Sequence, residues 1–304
     1  MLADSVLIIG AGRAGLSVAV ALARAGWLVQ LVARRAERRA EVTAWLDRCG
    51  VNLDVLAAPT LAKLVVLAVP DRSLAVAGQA LVTADAVAPD AVWLHLSGAA
   101  PWHVLRVAGG ASELAGMHPL AALPDPLDLD DANAALRPLR GATFAVAGTD
   151  RAAALARELV GVLGGRAVRV ADDARSLYHA AAALAANDLV ALLHVAEGAA
   201  IAAGLAPEDA RVGLTHLMQT ALDAVRRLPP DAPLRLGLTG AVARGDAATL
   251  ARHMDALAAH DRTAALLHAE LSSQLVDLVR DGGLGPAALA ALDTVLAQVP
   301  GRPQ

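Results

Sequence analysis

The chain has 304 residues, of which 56% are apolar and 18% are charged, and its formal net charge is −4. This length is enough for two domains with substantial cores, and the composition excludes a disordered, collagen-like or disulfide-stapled protein. Nucleic acid is an unexpected partner, because an acidic chain with only 2% aromatic residues neither attracts a phosphate backbone nor stacks well on bases.

The chain has one cysteine, Cys49, so it cannot form an internal disulfide or the zinc sites that need two or four cysteines. Its first residues lack the cationic region of a signal peptide. The most apolar stretch, about residues 180–206, is interrupted by four residues that are costly in a bilayer: Asn187, Asp188, His194 and Glu197. We therefore expect a cytoplasmic protein without a membrane partner, in which this stretch is a buried helix.

The first half of the chain alternates short β-type runs with helical patterns, which predicts an α/β domain with a parallel sheet and crossover helices. Six strands are expected at residues 5–9, 28–33, 64–69, 91–96, 114–117 and 142–147, and a further strand near 51–56. An Ala-rich helix is expected over 13–25, ended by Gly26. Residues 124–131, with two prolines and four aspartates, predict an exposed loop.

The second half of the chain predicts long helices only. Their expected ranges are 173–204, 207–228, 246–258, 260–280 and 286–298, with Asp172 and Asp173 as candidate N-caps. The first of these helices carries alanine on nearly every face, so it needs neighbours on every side, some of them from a second subunit. We therefore divide the chain into domains 1–170 and 171–304 and expect a homodimer through the second.

A glycine-rich turn follows the first expected strand. The sequence Gly10-Ala11-Gly12-Arg13-Ala14-Gly15 comes directly after four apolar residues and opens the first helix. In this setting the first glycine allows the tight turn, the second lets the backbone approach a pyrophosphate, and the third lets helix pack on strand. The diphosphate then lies at the helix N-terminus. These six residues predict a dinucleotide site; the alternative is a glycine turn without a ligand.

Arginines follow the second expected strand, at the position that selects the cofactor. An NAD enzyme usually places Asp or Glu there for the ribose hydroxyls, whereas an arginine accommodates the 2′-phosphate of NADP. This chain has Arg34 and Arg35 and no carboxylate before Glu37. We therefore predict NADP, with Arg34 as the first choice and Arg35 as the second. The alternative is one solvated helix face made of four arginines: Arg34, Arg35, Arg38 and Arg39.

Two further turns and a histidine follow later strands. Val69-Pro70-Asp71 comes after the fourth strand in chain order, and Ser97-Gly98 after the fifth. Ligands of open α/β sheets lie outside the carboxyl ends of the strands, so these turns are expected on the nicotinamide side. In the alternative, Asp71 and Ser97 only cap turns. His118 ends the next strand, where it could donate a proton, bind a carboxylate or bond within its loop.

The lysine content narrows the choice of a proton donor. Many nicotinamide enzymes with a helical second domain use a lysine as the proton donor. The one lysine here, Lys63, comes just before the fourth strand, at the end from which it cannot reach the nicotinamide. The first long helix supplies His179 and Asn187, which fall within a quarter-turn of one another on its surface. A histidine suits general acid catalysis, and an Asn amide can orient a substrate oxygen. The alternatives are a satisfied core histidine and an Asn that links helices.

A connector between two later helices contains further candidates. Thr239 and Gly240 could contact a substrate, Arg244 could bind its carboxylate, and Asp246 is expected to cap the following helix. The alternative is a glycine-rich connector with an Arg–Asp pair. No HExxH or similar histidine spacing indicates a metal site.

The segments GAGRAG, LAVPDRSL, HLSGA, GMHPL, LYHAAAALAAN and LTGAVARGDAATLARH, in this order, resemble Rossmann-like proteins with a DUF2520 C-terminal domain. That family is similar in architecture to 6-phosphogluconate dehydrogenase, pyrroline-5-carboxylate reductase and ketopantoate reductase. The resemblance implies an NADP-binding Rossmann domain, then an all-helical dimerising domain, with the active site in the cleft between them. Two positions depart from it: Ala241, where proline is expected, and His260, where relatives often carry an aromatic residue.

These observations support an NADP-dependent oxidoreductase that reduces a C=O or C=N bond of a small carboxylate. Hydride comes from the nicotinamide, the proton from His179, and Asn187 with Ser97 holds the substrate. One alternative is a non-catalytic NADP(H)-binding module or redox sensor, since a fold does not fix a function. A ketopantoate-reductase-like enzyme is a narrower form of the first hypothesis, and the absent lysine weakens it.

Overall fold

The computed structural model describes residues 5–107 and 110–299. The chain forms two compact units, Met1–Ala186 and Asn187–Gln304. They divide within one long helix, 16 residues beyond the boundary predicted at residue 170.

The first unit is built on an eight-stranded sheet. Its strands lie in the order β3-β2-β1-β4-β5-β6-β7-β8, and every neighbouring pair is parallel except β6 with β7. Their bounds are β1 Ser5–Ile9, β2 Leu28–Val32, β3 Asp54–Leu56, β4 Ala62–Leu67, β5 Val87–His95, β6 Glu113–Pro119, β7 Thr143–Gly148 and β8 Arg166–Arg169. The doubly wound sheet predicted from the alternating pattern is confirmed.

Both faces of this sheet are covered, which explains its uninterrupted apolar strands. In β1, Val6 and Ile8 belong to the hydrophobic cluster on one face, whereas Leu7 and Ile9 belong to the cluster on the other. A strand buried on both faces needs apolar side chains at every position rather than at every second one. The helices that cover the sheet are α1 Arg13–Arg24, α2 Ala36–Cys49, α3 Leu74–Thr83, α4 Ala132–Leu136 and α5 Asp150–Val162.

The helices that follow the sheet match the predicted ranges to within a few residues. They are α6 Arg175–Ala202, which crosses the division between the units, α7 Pro207–Arg226, α8 Ala247–His260, α9 Arg262–Arg280 and α10 Pro286–Ala297. A separate core in the second unit is formed by α8, α9 and α10, with Leu250, Val276 and Leu292 almost fully buried. The side chain of Asp246 accepts a hydrogen bond from the Thr249 amide at 2.9 Å, which confirms the predicted cap of α8.

The loop predicted at residues 124–131 is confirmed, with Asp128, Asp130 and Asp131 exposed, but the rest of the segment is not exposed as predicted. Pro126 is buried, Leu127 and Leu129 pack against the core, and the Trp45 indole donates a hydrogen bond to the Leu129 carbonyl. The segment also contains a short 3₁₀ turn, Pro126–Asp128. Its prolines and aspartates are typical of a loop, but the leucines between them supply the apolar contacts that hold it on the domain.

The first long helix is not buried within a single copy of the chain, although neighbours were predicted on every side of it, some of them from a second subunit. The segment Asp172–Ala202 is long and apolar enough to cross a membrane, yet only 6% of its most apolar window is buried. Composition alone cannot separate a core helix from one whose apolar face lies open, because both need the same residues.

Candidate functional site

The carboxyl ends of five strands bring the predicted site residues to one edge of the sheet. Gly10 follows β1, Arg34 follows β2, Val69 follows β4, Ser97 follows β5, and His118 lies near the end of β6. The strand order reverses between β1 and β4, and ligands of open α/β sheets bind at such a reversal. Adjacent strands lie about 4.8 Å apart, so these turns form one continuous row.

The three glycines of the first turn have different structural roles. Gly10 has φ +112°, and a Cβ there would clash with the Ala68 carbonyl of the neighbouring strand end. A Cβ on Gly15 would clash with the Gly10 carbonyl, so this glycine lets α1 pack closely. A Cβ on Gly12 would meet nothing within 4 Å. The space above Gly12 is therefore open to a ligand.

The N-terminus of α1 is suited to an anion. Gly12 is its N-cap, and no side chain caps the helix, so the first-turn amides keep free N–H groups. Beside it lies a cleft of about 550 Å³, whose lining is Ile9, Gly10, Ala11, Gly12, Arg13, Val32, Ala33, Arg34, Arg35, Arg38, Val69 and Asp125. The predicted cofactor residues outside this lining are Ala14, Gly15, Pro70, Asp71, Ser97 and Gly98. A diphosphate over Gly12 fits the arrangement.

The four arginines after β2 divide into two pairs. Arg34 and Arg35 precede α2, line the cleft and are exposed. Arg38 donates from Nε to the Ala11 carbonyl, and Arg39 donates from Nη1 to the carbonyls of Ala33 and Arg34. They do not form one solvated helix face. The guanidinium groups of Arg38 and Arg39 are hydrogen-bonded to backbone carbonyls, whereas those of Arg34 and Arg35 remain available to a ligand.

A second group of polar residues surrounds Gly98. His118 Nδ1 lies 2.8 Å from the Tyr178 hydroxyl, and the His179 ring packs edge-on against His118, with centroids 5.8 Å apart. A Cβ on Gly98 would lie 2.5 Å from His179 Nδ1 and 2.9 Å from His118 Nε2. Both imidazoles therefore converge on the Ser97–Gly98 turn.

A buried cation lies behind this turn. Arg175, only 1% exposed, donates to the Asp172 carboxylate at 3.2 Å and to the Ser97 carbonyl at 3.3 Å. A Cβ on Gly116 would lie 2.5 Å from Arg175 Nη2, so only glycine leaves room for the guanidinium. No sequence motif marks Arg175 or Tyr178 as site residues, because only the fold brings them to β5 and β6.

Ser97 serves its own turn. Its hydroxyl accepts a hydrogen bond from the Ala100 amide at 2.9 Å, and its amide donates to His95 Nδ1 at 3.1 Å. These bonds match the turn-capping alternative for Ser97. Asp71 begins a 3₁₀ turn without capping it through its side chain.

His95 and His118, which lie beneath and beside the turn, are uncharged at neutral pH. Burial, followed by the positive charge of Arg175, lowers the pKa of His95 to about 4. Burial lowers the pKa of His118 to about 4, and electrostatic interactions with His179 and Arg175 contribute to the same shift. Burial raises the pKa of Tyr178, so its hydroxyl keeps its proton. The His118–Tyr178 pair is therefore a neutral imidazole bonded to a neutral phenol.

The remaining predicted residues belong to the second unit. Asn187 and Thr239 are exposed, and Gly240 adopts a left-handed conformation with φ +94°. Arg244 is exposed and forms no close salt bridge within residues 5–107 and 110–299. Hydrogen bonds from Thr249, and then the charges of Arg252 and Arg244, lower the pKa of Asp246, so the Arg–Asp pair of the alternative interacts at longer range. Over the residues that the structure describes, no group of three His, Cys, Asp or Glu side chains could hold a metal.

Two family models match the sequence. A Rossmann-like domain matches residues 3–122, and DUF2520, a domain of unknown function, matches residues 142–275. The chain therefore carries a Rossmann-like domain followed by a DUF2520 domain. No curated protein matches the sequence.

Solved structures share the fold of the Rossmann–DUF2520 chain at low sequence identity. Protein TM1727 from Thermotoga maritima is 19% identical with a TM-score of 0.69, covering 91% of this chain and 98% of its own. BF3122 from Bacteroides fragilis, provisionally assigned as an NADP oxidoreductase, is 20% identical with a TM-score of 0.67, covering 89% and 97%. Pyrroline carboxylate reductase from Plasmodium falciparum, solved with NADP bound, is 11% identical with a TM-score of 0.55, covering 89% and 99%.

We predict that His95 makes the protein sensitive to acid. Its folded pKa of about 4 lies below the unfolded value, so between pH 6.5 and pH 4 the unfolded state binds more protons. The contribution of His95 to the free energy of unfolding is therefore fully present above pH 6.5. It is lost as the pH falls toward 4, by about 3 kcal/mol at most for one such histidine. Urea unfolding at pH 7 and pH 4.5 measures the loss, which should be smaller in His95→Gln.

The matched control is His216→Gln, because His216 is exposed on α7. It should keep the wild-type difference in unfolding free energy between the two pH values. An equal difference in wild type and His95→Gln would contradict the prediction.

Proposed function

We propose that the protein is an NADP-dependent oxidoreductase that reduces a C=O or C=N bond of a small carboxylate-bearing substrate. The observation that carries the proposal is the cleft beside the glycine loop. There, open space above Gly12, uncapped amides of α1 and the free side chains of Arg34 and Arg35 occur together. The Plasmodium reductase of similar fold has NADP bound, which supports the same class of cofactor here.

Within this proposal, the chain's own residues hold the cofactor at two points. The amides at the N-terminus of α1 bind the diphosphate, and Arg34, with Arg35 beside it, binds the 2′-phosphate. Bound NADPH supplies a hydride. Val69, Pro70, Asp71, Ser97 and Gly98 belong to the neighbouring turns and border the nicotinamide end.

Two histidines converge on Gly98, and we assign the proton to one of them. His179 is the proposed donor, and the observation that supports it is its convergence with His118 on the turn after β5. His179 itself is exposed, so the assignment depends on this convergence and not on burial. Asn187, Ser97, Thr239, Gly240 and Arg244 remain the proposed substrate contacts.

Cofactor choice is tested by titrating the protein with NADPH and with NADH, followed by nicotinamide fluorescence. Wild type should prefer NADPH, and Arg34→Asp should lose at least about tenfold in NADPH affinity, because a charged hydrogen bond to phosphate becomes a repulsion. NADH binding should change little. Arg48→Asp, at the exposed far end of α2, is the charge-matched control and should keep the wild-type preference.

If the protein binds neither nucleotide, both the enzyme and the redox-sensor hypotheses are overturned. The glycine turn would then have only a structural role. Equal binding of NADPH and NADH that Arg34→Asp leaves unchanged would reject the assignment of Arg34.

The catalytic assignment is tested on a panel of small keto acids and cyclic imines, by following NADPH oxidation. With a substrate in hand, His179→Ala and His118→Ala should each lower kcat about 100-fold or more, the usual effect of removing an acid–base group, while NADPH affinity stays unchanged. His216→Ala is the control. Unchanged turnover in a variant removes that histidine from the mechanism, and tight NADPH binding without any turnover favours the non-catalytic module.

We further propose that the open apolar face of α6 and α7 is covered by a second copy of the chain in the cytoplasm. The large exposed apolar side chains of these helices are Leu177, Leu184, Val190, Ile201, Val212, Leu217, Leu222 and Val225. A face of this kind is unfavourable in water and typical of a protein contact. The open face of Asp172–Ala202 supports the same proposal.

Sedimentation at micromolar concentration should therefore give twice the chain mass of 30.8 kDa. Val190→Glu should shift the equilibrium toward monomer, because it places a charge in an apolar contact. Leu28→Glu is the matched control, since Leu28 is exposed on β2 in the first unit. A wild-type monomer that binds lipid vesicles would instead favour a membrane surface as the partner.

A further inference from the structure

A segment outside the glycine motif forms part of the wall of the cofactor cleft. We name residues 123–129 the strap. Its apolar side chains are held by the core: Pro126 is buried, and Leu123, Leu127 and Leu129 pack against the main hydrophobic cluster. Between them, Asp125 lines the cleft together with the glycine loop. The strap is thus a packed element with one carboxylate at the ligand site.

Arg38 joins the strap to the glycine loop. Its Nη2 lies 2.9 Å from both carboxylate oxygens of Asp125, and its Nε donates to the Ala11 carbonyl at 3.0 Å. The Arg38 side chain is only 17% exposed, so solvent screens these charge-assisted bonds less than it screens a surface ion pair. One guanidinium therefore fixes two walls of the same cleft.

The helix α2 holds the strap at a second point. The Trp45 indole, buried in the core, donates to the Leu129 carbonyl at 3.0 Å. Arg38 and Trp45 are seven residues apart, which places them on the same side of α2 two turns apart. Asp125 also accepts a hydrogen bond from the Leu127 amide at 3.2 Å, so the turn inside the strap depends on the same carboxylate.

The arginines of the cleft differ in whether a carboxylate neutralises their charge. An unpaired carboxylate at Asp125 would repel a phosphate, but its two bonds to Arg38 neutralise it. Among the residues that the structure describes, Arg34 and Arg35 have no such carboxylate partner. Arg34 and Arg35 therefore offer an unpaired positive charge to a phosphate, whereas the charge of Arg38 is paired with Asp125.

We infer that Arg38 and Asp125 are positioning residues for the cofactor: their ion pair holds the strap against the glycine loop and so shapes the cleft for the dinucleotide. The selection of the 2′-phosphate is left to Arg34 and Arg35. This inference rests on the proposed function, because it needs a dinucleotide in the cleft. The competing explanation is that Arg38 acts through its charge as a third phosphate ligand.

Asp125→Asn separates the two explanations, because they predict opposite changes. If Arg38 acts through charge, loss of the carboxylate frees that charge and tightens NADPH binding. If the ion pair positions the cleft, the loss weakens NADPH and NADH alike, by about tenfold, the effect of one charge-assisted hydrogen bond. The measurement is the Kd of each nucleotide from nicotinamide fluorescence.

Glu41→Gln is the matched control. Its carboxylate lies 3.6 Å from Arg38 Nη1 and is 58% exposed, and among the described residues it forms no hydrogen bond or ion pair with the strap. Both variants remove one negative charge beside Arg38, and only Asp125→Asn releases the strap. The positioning role therefore predicts that Glu41→Gln keeps wild-type affinity for both nucleotides.

Hydrogen exchange measured by mass spectrometry supplies a readout without cofactor. The Leu127 amide, which bonds to Asp125, should exchange faster in Asp125→Asn and at the wild-type rate in Glu41→Gln. The double variant Arg38→Gln/Asp125→Asn should lose less nucleotide affinity than the sum of the losses in the two single variants, because each single variant already releases the strap.

The outcomes distinguish this inference from the function on which it rests. Tighter NADPH binding by Asp125→Asn, a weakening confined to NADPH, or unchanged affinity overturns the positioning role while the proposed function stands. Wild-type protein that binds neither nucleotide overturns the proposed function and this inference together.

Discussion

The close approach of the first glycine turn to the end of β4 is the constraint on which the site depends. At the reversal of strand order, the Gly10 backbone lies against the Ala68 carbonyl and α1 lies against the Gly10 carbonyl, with no room for a Cβ on Gly10 or Gly15. This crowding fixes the start of α1 over the sheet edge. Gly12, in contrast, faces open space, so the same turn that packs tightly toward the core presents free amides outward.

Two arginines then fix the loops around that edge. Arg38 ties the strap to the glycine loop, and Arg175 ties the turn after β5 to the start of α6. A buried charge is unfavourable by several kcal/mol unless it is paired, so each guanidinium needs its carboxylate, Asp125 or Asp172. An arginine suits this use because its planar fork reaches a carboxylate and a backbone carbonyl at once. Loop positions at the site are therefore set by ion pairs as well as by packing.

Much of the fold was predictable because its signals are local. The apolar runs, the glycine turn and the long helical patterns predicted the parallel sheet and the order of the domains. The edge strand β8 was missed, since arginines flank its two apolar residues and half of it faces solvent. The strap was mistaken for a solvated loop because its anchors, Arg38 and Trp45, lie more than 80 residues away in the chain.

The candidate site was predictable only in part, for the same reason. The residues that follow strands were found, because position in a βα unit determines which edge they occupy. Arg175 and Tyr178 were not identified, since their importance comes from Gly116 and His118, which lie about 60 residues earlier. The division of the four arginines was also invisible in the sequence, because all four share one local pattern and differ only in their hydrogen-bond partners.

The charge states around Gly98 constrain any acid–base role of this cluster. A histidine whose pKa is about 4 is a neutral imidazole at pH 7, so His118 cannot give up a proton as imidazolium there. It can still accept a hydrogen bond from the Tyr178 hydroxyl at Nδ1, which would leave its proton on Nε2, the nitrogen nearest Gly98. Arg175 favours this neutral form from behind the turn, because its charge opposes protonation of both His118 and His95. The buried guanidinium thus holds the turn and, from the same position, adds to the burial that keeps His118 and His95 neutral.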